Sequence, residues 1–519
     1  MTKLISIFII NSLIIKFACI YEYQFSVIVA IYNTGRYLKD SIDSILQQSI
    51  GFEKIQIILV NDGSIDETEQ ISLKYKDKYP KNIIYIKNDH KGVSFARNIG
   101  LNYAKGKYIN FLDADDKWNK NAFKYVSLIL SIYKKIDIVA CRMIFFELTE
   151  SYHPLDYKFY KTRIVNLTEE YNCIQLSTSS SFFRSSSIKN KKFEEGIFVG
   201  EDTRFLNTQL LHKPLIGIVK EAIYYYRRRA DSSSTIQNKQ FNDNFYFSII
   251  KTVDEYLMEY SNKLYKRIMP FIQFYVAYNT LFRIIYPSYK YLTRCNLKKY
   301  YKLVENTLKK IDDKYILEQR ILSLNEKFFA LSIKYHRDMK DNIVYINNSF
   351  LYYGYLLIDL TKNKSILVWR ILEIDNNILH LEGKDNLFLS SDYYFYFIKI
   401  GDIIFYPKYY HYSGYDSITM FGNTHKGRNV VFDIPLKKNS SVIIKTYINF
   451  KGQISEIITS FGWYAHIPNL ENGYYNSGDY ILKIFDNRIK IDPYNKSLIK
   501  LCEINYQKEL TRIRKSYIT

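Results

Sequence analysis

Apolar and polar positions follow two different rhythms along the first part of the chain. Continuous apolar runs predict buried β-strands at residues 25–30, 55–60, 83–86 and 108–112. Between them, apolar residues at spacings of three and four predict helices at residues 37–48, 67–79 and 93–104. Strand–helix alternation with short connections is typical of a mostly parallel sheet that is covered by helices on both faces.

The hydrophobic pattern changes after residue 116. Residues 117–235 mix strand and helix patterns, and residues 237–335 carry apolar positions at helical spacing with few Gly or Pro. From residue 342, short apolar runs return, and two of them flank Asp375-Asn376-Asn377, which predicts a β-hairpin. Such short strands, separated by Gly, Asn and Asp, predict an antiparallel sandwich-like domain.

The predicted fold class is therefore α/β, followed by a helical region and an antiparallel β domain. The predicted segments are an apolar stretch at 1–21, an α/β domain at 22–236, a helical linker at 237–341, a β-rich domain at 342–502 and a basic tail at 503–519. The apolar stretch is short for a membrane span, contains Lys16, and lacks a good signal-peptide cleavage site. We interpret it as a segment for packing or peripheral membrane contact, with an overlong gene start as the open alternative.

The charge of the chain favours anionic partners. The 519 residues carry a net charge of +21, which suits phosphates, acidic polymers or an anionic membrane surface. Lysine-rich codon usage on solvated faces explains the charge equally well. No zinc-finger spacing or aromatic RNA-binding signature is present, so we expect no nucleic-acid partner. Five widely spaced cysteines without CxxC pairs predict neither a disulfide framework nor a zinc site and fit a reducing cytosol.

An acidic cluster follows the fourth predicted strand, in the segment "NFLDADD". Residues two apart on an extended segment point the same way, so Asp113 and Asp115 can reach one site at the strand end. Mg²⁺ and Mn²⁺ prefer such oxygen ligands and complete their shells with water and substrate phosphates. The pattern predicts a metal–diphosphate site, and a solvated acidic turn that caps the next helix is the alternative.

Polar clusters also follow the other three predicted strands. Tyr32 comes after the first strand, Asp62 after the second, and Arg97 in the segment after the third. Because the carboxyl ends of parallel strands lie at one edge of a sheet, we expect these side chains to converge. An aromatic ring, an acceptor for a base N–H, a cation and a metal-binding pair together predict a site for a nucleotide diphosphate.

Four segments, spread over residues 24–120, carry a resemblance to a known family. They are "FSVIVAIYNTGRYLKDSIDSILQQS", "IILVNDGSIDET", "KGVSFARNIGL" and "YINFLDADD". In this order and spacing they resemble the inverting glycosyltransferases of family 2, which have a GT-A fold. Two positions depart from the commonest family pattern: Asn61 stands where Asp is frequent, and His90 stands where Asn is frequent.

The resemblance implies roles for particular residues. The donor, with UDP-linked sugars the first expectation, is bound by a set on the sheet edge: Ala30, Tyr32, Asp62, Arg97, Asp113 and Asp115. The cofactor is Mn²⁺ or Mg²⁺, held by Asp115 with Asp113 beside it. "EGIFVGEDTRFL" resembles the acceptor-side motif, which makes Asp202 the base that takes the proton of the acceptor hydroxyl. The alternative for this acidic pair, Glu201 and Asp202, is a helix N-terminus, where carboxylates favour the dipole.

The segment "YYYRRRADSSST" resembles the basic strand and loop that close the family's site. Arg227 and Arg229 share one face of a strand, where they would neutralise the leaving diphosphate. Ser232 to Thr235 would then form a lid. A solvated basic strand is the alternative.

The predicted function is a metal-dependent inverting glycosyltransferase of the hexosyl or N-acetylhexosaminyl class. Its expected acceptor is a glycan, a polyol-phosphate or a lipid-linked saccharide of the cell surface, and its expected location is the cytoplasm, including the inner face of the membrane. Two other classes stay open: a polymer-binding scaffold with an inactive transferase domain, and a transferase that uses a CDP-linked non-sugar donor.

Overall fold

The computed structural model describes most of residues 21–496. The gaps are residues 149, 230–242, 286–293, 323, 337–342, 348, 353–354, 361–365, 386, 388–393, 412–417, 421–422, 426–427, 458, 462–472, 478 and 486–487. The chain divides into two compact units, one within 1–283 and 290–311 and the other within 284–289 and 312–519. The predicted N-terminal segment, the Ser232–Thr235 lid and the basic tail lie outside the described residues.

The first unit begins with alternating strands and helices, as the hydrophobic pattern predicts. In chain order they are β1 (Tyr23–Ile31), α1 (Gly35–Leu46), β2 (Ile55–Asn61), α2 (Thr68–Lys78), β3 (Ile83–Lys87), α3 (Val93–Tyr103), β4 (Gly106–Asp113), β5 (Lys117–Trp118) and α4 (Ala122–Ile132). Every residue of β2 is buried, because helices cover the sheet on both faces, and this explains its unbroken apolar run.

The second half of this unit adds strands that are partly antiparallel. They and the helices among them are β6 (Ile138–Glu147), β7 (Ser151–Tyr152), β8 (Arg163–Asn166), β9 (Ser181–Arg184), α5 (Ser185–Ile188), α6 (Glu201–His212) and β10 (Leu215–Arg228). The sheet has the order β3-β2-β1-β4-β9-β6-β10-β5, with β7 on β6 and β8 on β10. Strands β1 to β4 pair in parallel, whereas β9 runs antiparallel to both of its neighbours.

Asn110 joins the two halves of the sheet. Its buried amide nitrogen donates hydrogen bonds to the carbonyl oxygens of Ser179 and Ser181, at 2.9 and 2.8 Å. Its amide oxygen accepts a hydrogen bond from the Trp118 indole at 3.1 Å. One polar side chain in the middle of β4 therefore holds the segment that leads into β9.

A helical segment follows β10. Its helices are α7 (Asp243–Ile249), α8 (Glu255–Tyr265), α9 (Pro270–Ile285) and α10 (Arg294–Leu308). A π-helical turn, Ile250–Asp254, joins α7 to α8. The Asp254 carboxylate at its end is fully buried and accepts hydrogen bonds from Tyr275 and Asn279 of α9. Burial raises the pKa of Asp254 to about 7.

The second unit starts with two helices, α11 (Asp313–Leu317) and α12 (Leu324–Tyr335), and continues with strands. The strands up to the middle of the unit are β11 (Ile343–Ile346), β12 (Ser349–Tyr352), β13 (Tyr355–Asp359), β14 (Leu367–Asp375), β15 (Ile378–Asp385), β16 (Tyr394–Ile400), β17 (Ile403–Phe405), β18 (Lys408–His411), β19 (Ile418–Met420) and β20 (Asn423–His425). The remainder are β21 (Arg428–Pro435), β22 (Val442–Phe450), β23 (Gln453–Glu456), β24 (Ser460–Phe461), β25 (Gly473–Ser477), β26 (Tyr480–Phe485) and β27 (Arg488–Pro493).

These strands form antiparallel sheets, as predicted. The two larger sheets have the orders β18-β21-β15-β14-β24 and β17-β16-β22-β27-β26-β25, and of these neighbours only β14 and β24 pair in parallel within the described residues. The predicted hairpin is β14–β15, and its turn residues Asn376 and Asn377 have φ of 47° and 61°. Asparagine tolerates this left-handed region, which a two-residue hairpin turn requires.

A buried ionic cluster lies inside the second unit. Asp385 accepts hydrogen bonds from the Tyr394 and Tyr396 hydroxyls and from two nitrogens of Arg428. The arginine also lies 4.6 Å from the centre of the Tyr394 ring. Since a buried charge is tolerated only when it is paired and hydrogen-bonded, this cluster ties β15, β16 and β21 to one arrangement.

The predicted fold class is confirmed: a mostly parallel sheet with helices, then a helical segment and antiparallel sheets. The predicted domain boundaries stay predictions. None of the described helices combines the length and the apolar character that crossing a bilayer requires.

We expect Asn110→Leu to lower the free energy of unfolding by about 3–5 kcal/mol. The apolar side chain leaves two buried carbonyls and one indole N–H without their partner, at roughly 1–3 kcal/mol each. Urea denaturation followed by circular dichroism measures the change. Asn190→Leu, at an exposed position, is the matched control, and an equal loss in both variants would contradict the role of Asn110.

Candidate functional site

The polar clusters after the first four strands meet at one edge of the sheet. In the parallel register, Ala30 at the end of β1 lies opposite Asp113 at the end of β4. The neighbouring residue Ile31 lies opposite Asn61, which in turn lies opposite Lys87. The convergence predicted from the strand pattern is therefore present in the fold.

Tyr32, Asp62 and His90 form a cluster at this edge. The Tyr32 ring is about half exposed and stacks on the His90 ring, with centroids 4.1 Å apart and an interplanar angle of 25°. The buried Asp62 carboxylate accepts hydrogen bonds from the backbone N–H groups of Lys91 and Gly92, both at 2.8 Å. The cluster offers an aromatic platform beside a carboxylate whose position is fixed by the backbone.

The two departures from the family pattern have distinct places. Asn61 is buried, donates to the Tyr85 hydroxyl, and accepts a hydrogen bond from the Ser64 N–H, so it shapes the turn after β2. His90 belongs to the platform itself because it stacks on Tyr32. Sequence reasoning gave His90 no role. Its place directly before the "KGVSFARN" segment was the one signal from which a role could have been inferred.

Arg97 links two acidic segments that are far apart in the chain. Its guanidinium is 4% exposed and donates to Asp113 Oδ1 at 3.0 Å and to Glu201 Oε1 at 2.9 Å. The Phe193 ring lies under it at 5.4 Å. The two carboxylates raise the pKa of Arg97 against the opposing effect of burial. The end of β4 and the start of α6 are thus joined through one cation.

Asp202 follows Glu201 in the first turn of α6. Desolvation, followed by the charge of Glu201, raises the pKa of Asp202 to about 7. The opposing charge of Arg97 lowers the pKa, and Asp113 raises it further. One carboxylate oxygen accepts a hydrogen bond from the Thr203 N–H at 2.7 Å. The group is a carboxylate whose proton affinity is suited to proton transfer near neutral pH.

The start of α6 rests on the π turn. The backbone of Gly200 has φ of 88° and packs so closely on Ile249 and Val253 that a Cβ there would lie 3.0–3.1 Å from them. Arg204 donates to the carbonyl of Thr252 at 2.9 Å. The helical segment after β10 therefore supports the acidic pair from behind.

Asp115 is paired with Arg229. Two guanidinium nitrogens of Arg229 donate to Asp115 Oδ2, at 2.7 and 2.9 Å, and Arg229 also lies 4.7 Å from the centre of the Tyr37 ring. Burial raises the pKa of Asp115, Arg229 lowers it, and the like charge of Asp113 raises it again. Asp113 and Asp115 are therefore close enough for their charges to interact.

Arg227 and Arg229 differ in their surroundings, although Arg227 is near the end of β10 and Arg229 directly follows that strand. Arg227 is buried, and its guanidinium donates to Asp40, to Glu147 and to the backbone carbonyl of Asp115. Its backbone N–H donates to the buried Asp116 at 2.7 Å. Arg227 thus holds the acidic loop in shape, whereas Arg229 meets the carboxylate of that loop.

Several residues of the site were not predicted. The Ser179 hydroxyl donates to Asp113 Oδ2 at 2.7 Å, and the Tyr224 hydroxyl donates to Asp116 Oδ2 at 2.5 Å. Burial and the charges of Asp115 and Asp113 raise the pKa of Asp116 well above its usual value. The run "SSSFF", which leads into β9, was the only sequence signal for Ser179, and nothing in the local pattern assigned Asp116 to the interior.

Asp113 and Asp115 fit a site for a divalent cation. They supply hard carboxylate oxygens at one strand end, and Mg²⁺ or Mn²⁺ takes one or two protein carboxylates, with water and phosphates filling the shell. Across the part of the chain that the structure describes, no group of three or more His, Cys, Asp or Glu side chains is arranged to hold a metal. The donor set suits an ion that arrives with a phosphorylated ligand rather than a closed protein cage.

Comparison with known sequences supports the family assignment. The model of glycosyl transferase family 2 matches residues 26–190. The minor teichoic acid biosynthesis protein GgaA of Bacillus subtilis is 32% identical over 330 residues, which are 62% of this chain and 74% of GgaA. GgaB of the same organism, also named a minor teichoic acid biosynthesis protein, is 36% identical over 390 residues, which are 74% of this chain and 43% of GgaB. The chain thus spans less than half the length of GgaB.

The fold has a counterpart among solved structures. The crystal structure of Staphylococcus aureus TarS matches 91% of this chain and 86% of its own, with a TM-score of 0.56 and 16% identity. By sequence, TarS, named poly(ribitol-phosphate) beta-N-acetylglucosaminyltransferase, is 24% identical over 226 residues, which are 43% of this chain and 39% of TarS. The TarS structure shows a shared fold, a GT-A-like sheet followed by antiparallel sheets. The matched family model and the similarity to GgaA over most of its length show that this chain belongs to glycosyl transferase family 2.

Proposed function

We propose that this chain is a metal-dependent inverting glycosyltransferase. It moves a sugar from a nucleotide-diphosphate donor, UDP-linked as the first candidate, to a hydroxyl of an anionic cell-surface polymer. The observation that carries the proposal is the Arg97 bridge, since it joins Asp113 on the predicted diphosphate side to the Glu201–Asp202 pair on the predicted acceptor side. The leaving diphosphate and the base, Asp202, then lie on opposite sides of the transferred sugar.

The nucleotide is the part of the donor that Tyr32 and Asp62 recognise. Stacking on the exposed Tyr32 ring is favourable for any base, because every base has a π-face. Asp62 accepts a hydrogen bond from an N–H of the base with oxygens that are already oriented by the backbone of Lys91 and Gly92. Ala30, beside Asp113 in the register, places backbone next to the ribose and phosphates.

The diphosphate is handled by Asp115, Asp113 and Arg229. A bound Mn²⁺ or Mg²⁺ would neutralise phosphate charge and make the nucleotide a better leaving group, and Asp115, with Asp113 beside it, would hold it. Arg229 meets Asp115 directly, so donor binding shifts this cation from the carboxylate toward the phosphates. The contacts of Arg227 favour a positioning role for that residue.

Asp202 acts as the base. The acceptor oxygen gives its proton to the Asp202 carboxylate, forms the new bond to the anomeric carbon, and the bond from that carbon to the phosphate oxygen breaks. The charge that develops on the diphosphate is balanced by Arg229. Attack opposite to the leaving group inverts the anomeric configuration.

The acceptor class rests on the relatives and on the charge. GgaA and GgaB are named for minor teichoic acid biosynthesis, and the chain carries a net charge of +21, which suits a polymer that contains phosphate. We therefore propose a polyol-phosphate or glycosyl-phosphate chain as acceptor, and the cytoplasm, where nucleotide sugars are available, as the location.

We expect the purified protein to release nucleotide from one donor in a panel of UDP-, GDP- and CDP-linked compounds. Release should require Mn²⁺ or Mg²⁺ and stop with EDTA. It should fall by about 10²-fold or more in Asp115→Asn, because the metal ion that balances the phosphate charge is then held less tightly. Asp77→Asn, at an exposed position of α2, is the control. Release from a CDP-linked non-sugar donor would replace the proposed reaction class, and metal-independent nucleotide binding without turnover would favour the scaffold alternative.

We expect the transfer rate to depend on pH through Asp202. The base acts only when ionised, and its pKa is raised to about 7, so kcat/KM should fall about tenfold for each pH unit below that value. Asp202→Asn should lower kcat by about 10²–10⁴-fold, remove this inflection, and leave donor affinity unchanged. An unchanged pH profile in the variant would exclude Asp202 as the base.

We expect Arg227 and Arg229 to differ in their effects on nucleotide release. Arg229→Gln should lower nucleotide release by about 10²-fold, because a cation at the diphosphate is lost, and it should also lower the free energy of unfolding, since the mostly buried Asp115 carboxylate loses its ion pair. Arg227→Gln should lower the free energy of unfolding by about 1–3 kcal/mol, since it leaves carboxylates of Asp40 and Glu147 without their cation. Nucleotide release from both variants, measured below their unfolding temperatures, tests the division, with the larger loss expected in Arg229→Gln; a larger loss in Arg227→Gln would reverse the assignment.

A further inference from the structure

The outward face of the sheet around β16 and β22 carries a row of aromatic rings. Phe397 and Tyr447 lie directly opposite each other across the two strands, with stacked rings 5.2 Å apart at 9°. Tyr406, which is 66% exposed, adds a ring 6.4 Å from Phe397 and 5.9 Å from the exposed Phe395. Phe397 itself is 5% exposed because the other three rings surround it, whereas Phe395 and Tyr406 are exposed. Exposed aromatic rings that cluster on a sheet indicate a binding surface.

A row of basic side chains lies beside the rings on the same face. Lys399 is directly opposite Lys445, and Lys483 is directly opposite Lys490. Alternation along β16 and β22 puts Lys399 on the side of Phe397, and Lys445 on the side of Tyr447. The register between β22 and β27 places Ile443 opposite Lys490, so the basic row continues across the sheet to Arg488. We call the two rows together the cation–aromatic face.

Directly opposed like charges destabilise a sheet. Among the described residues, Glu456 pairs with Arg488 at 2.7 Å and with Lys445 at 3.7 Å, and Asp492 pairs with Lys490 at 2.8 Å. In these pairs three cations share two carboxylates, so the paired groups themselves keep a net positive charge. A face that keeps two opposed lysine pairs at a cost to its own stability is suited to a polyanion.

We propose that the cation–aromatic face binds the acceptor polymer, a chain of polyol or sugar units joined by phosphodiesters. The basic row matches the phosphates, and the flat rings match the apolar C–H faces of the units between them. The identity of the occupant rests on the proposed function, whereas the existence of a polyanion site rests on the face alone.

Binding of the full-length protein to poly(glycerol phosphate) tests the proposal, with neutral dextran as the comparison polymer. We expect binding to the phosphate polymer only, with an affinity that falls as salt rises because counterions are released. Lys399→Glu and Tyr406→Ala should each weaken binding about tenfold, which is about 1.4 kcal/mol. Metal-dependent nucleotide release without acceptor should be unchanged in both variants.

Lys399→Glu also has a second readout. It converts the opposed pair with Lys445 into an attractive pair, so its thermal unfolding temperature should rise while its polymer affinity falls. Lys438→Glu, at an exposed position of the same unit, makes the same change of charge away from the face and is the matched control.

Three results would overturn the proposal. The first is equal weakening of polymer binding by Lys438→Glu and Lys399→Glu, which would show a diffuse effect of net charge. The second is self-association that Tyr406→Ala abolishes, which would assign the face to a second copy of the chain. The third is binding to anionic vesicles but not to poly(glycerol phosphate), which would assign it to a membrane surface. Polymer binding without nucleotide release would support the face and contradict the proposed function.

Discussion

The site depends on one buried guanidinium that has two carboxylate partners. A cation taken out of water is tolerated only when charged partners replace its hydration, and Arg97 has these in Asp113 and Glu201. The partners come from β4 and from the first turn of α6, which are separated by almost ninety residues of chain. Folding therefore has to bring both to Arg97, and the geometry that stabilises this cation is the same geometry that the proposed two-sided reaction centre needs.

The acidic cluster after β4 illustrates how three neighbouring carboxylates are accommodated in different ways. Asp113 is held by Arg97 and Ser179, Asp115 is held by Arg229, and Asp116 is buried against Tyr224, where burial raises its pKa. Of the three side chains, only those of Asp113 and Asp115 are partly exposed. Each carboxyl group is thus accommodated by a different neighbour, and the buried, hydrogen-bonded Asp116 anchors the loop on which Asp115 lies.

Much of the first unit was predictable from the sequence, because buried parallel strands are read directly from continuous apolar runs and amphipathic helices from their spacing. The positions of Asp62, Arg97 and Asp113 at one edge followed from strand order, whereas Asp202 followed from the resemblance to the family. The partners of these residues were not predictable in the same way: Ser179 lies 66 residues from Asp113, and Arg227 lies 111 residues from Asp116. Such contacts depend on tertiary packing, which local periodicity does not contain. In the second unit, the turn at Asn376 and Asn377 was readable, but the pairing of Lys399 with Lys445 depends on strand register across distant segments.

The π turn at Ile250–Asp254 sets the rotational phase of the helix that follows it. Such a turn closes its hydrogen bonds one residue later than an α-helix does, and each residue of a helix rotates the next by about 100°. Loss of a single residue here would turn Tyr256, whose ring lies 3.7 Å from the Arg204 guanidinium, to another side of α8. It would also withdraw Asp254 from Tyr275 and Asn279. Surface loops of the chain accommodate changes in length, but in this segment length itself is a structural constraint on the acidic pair at the start of α6.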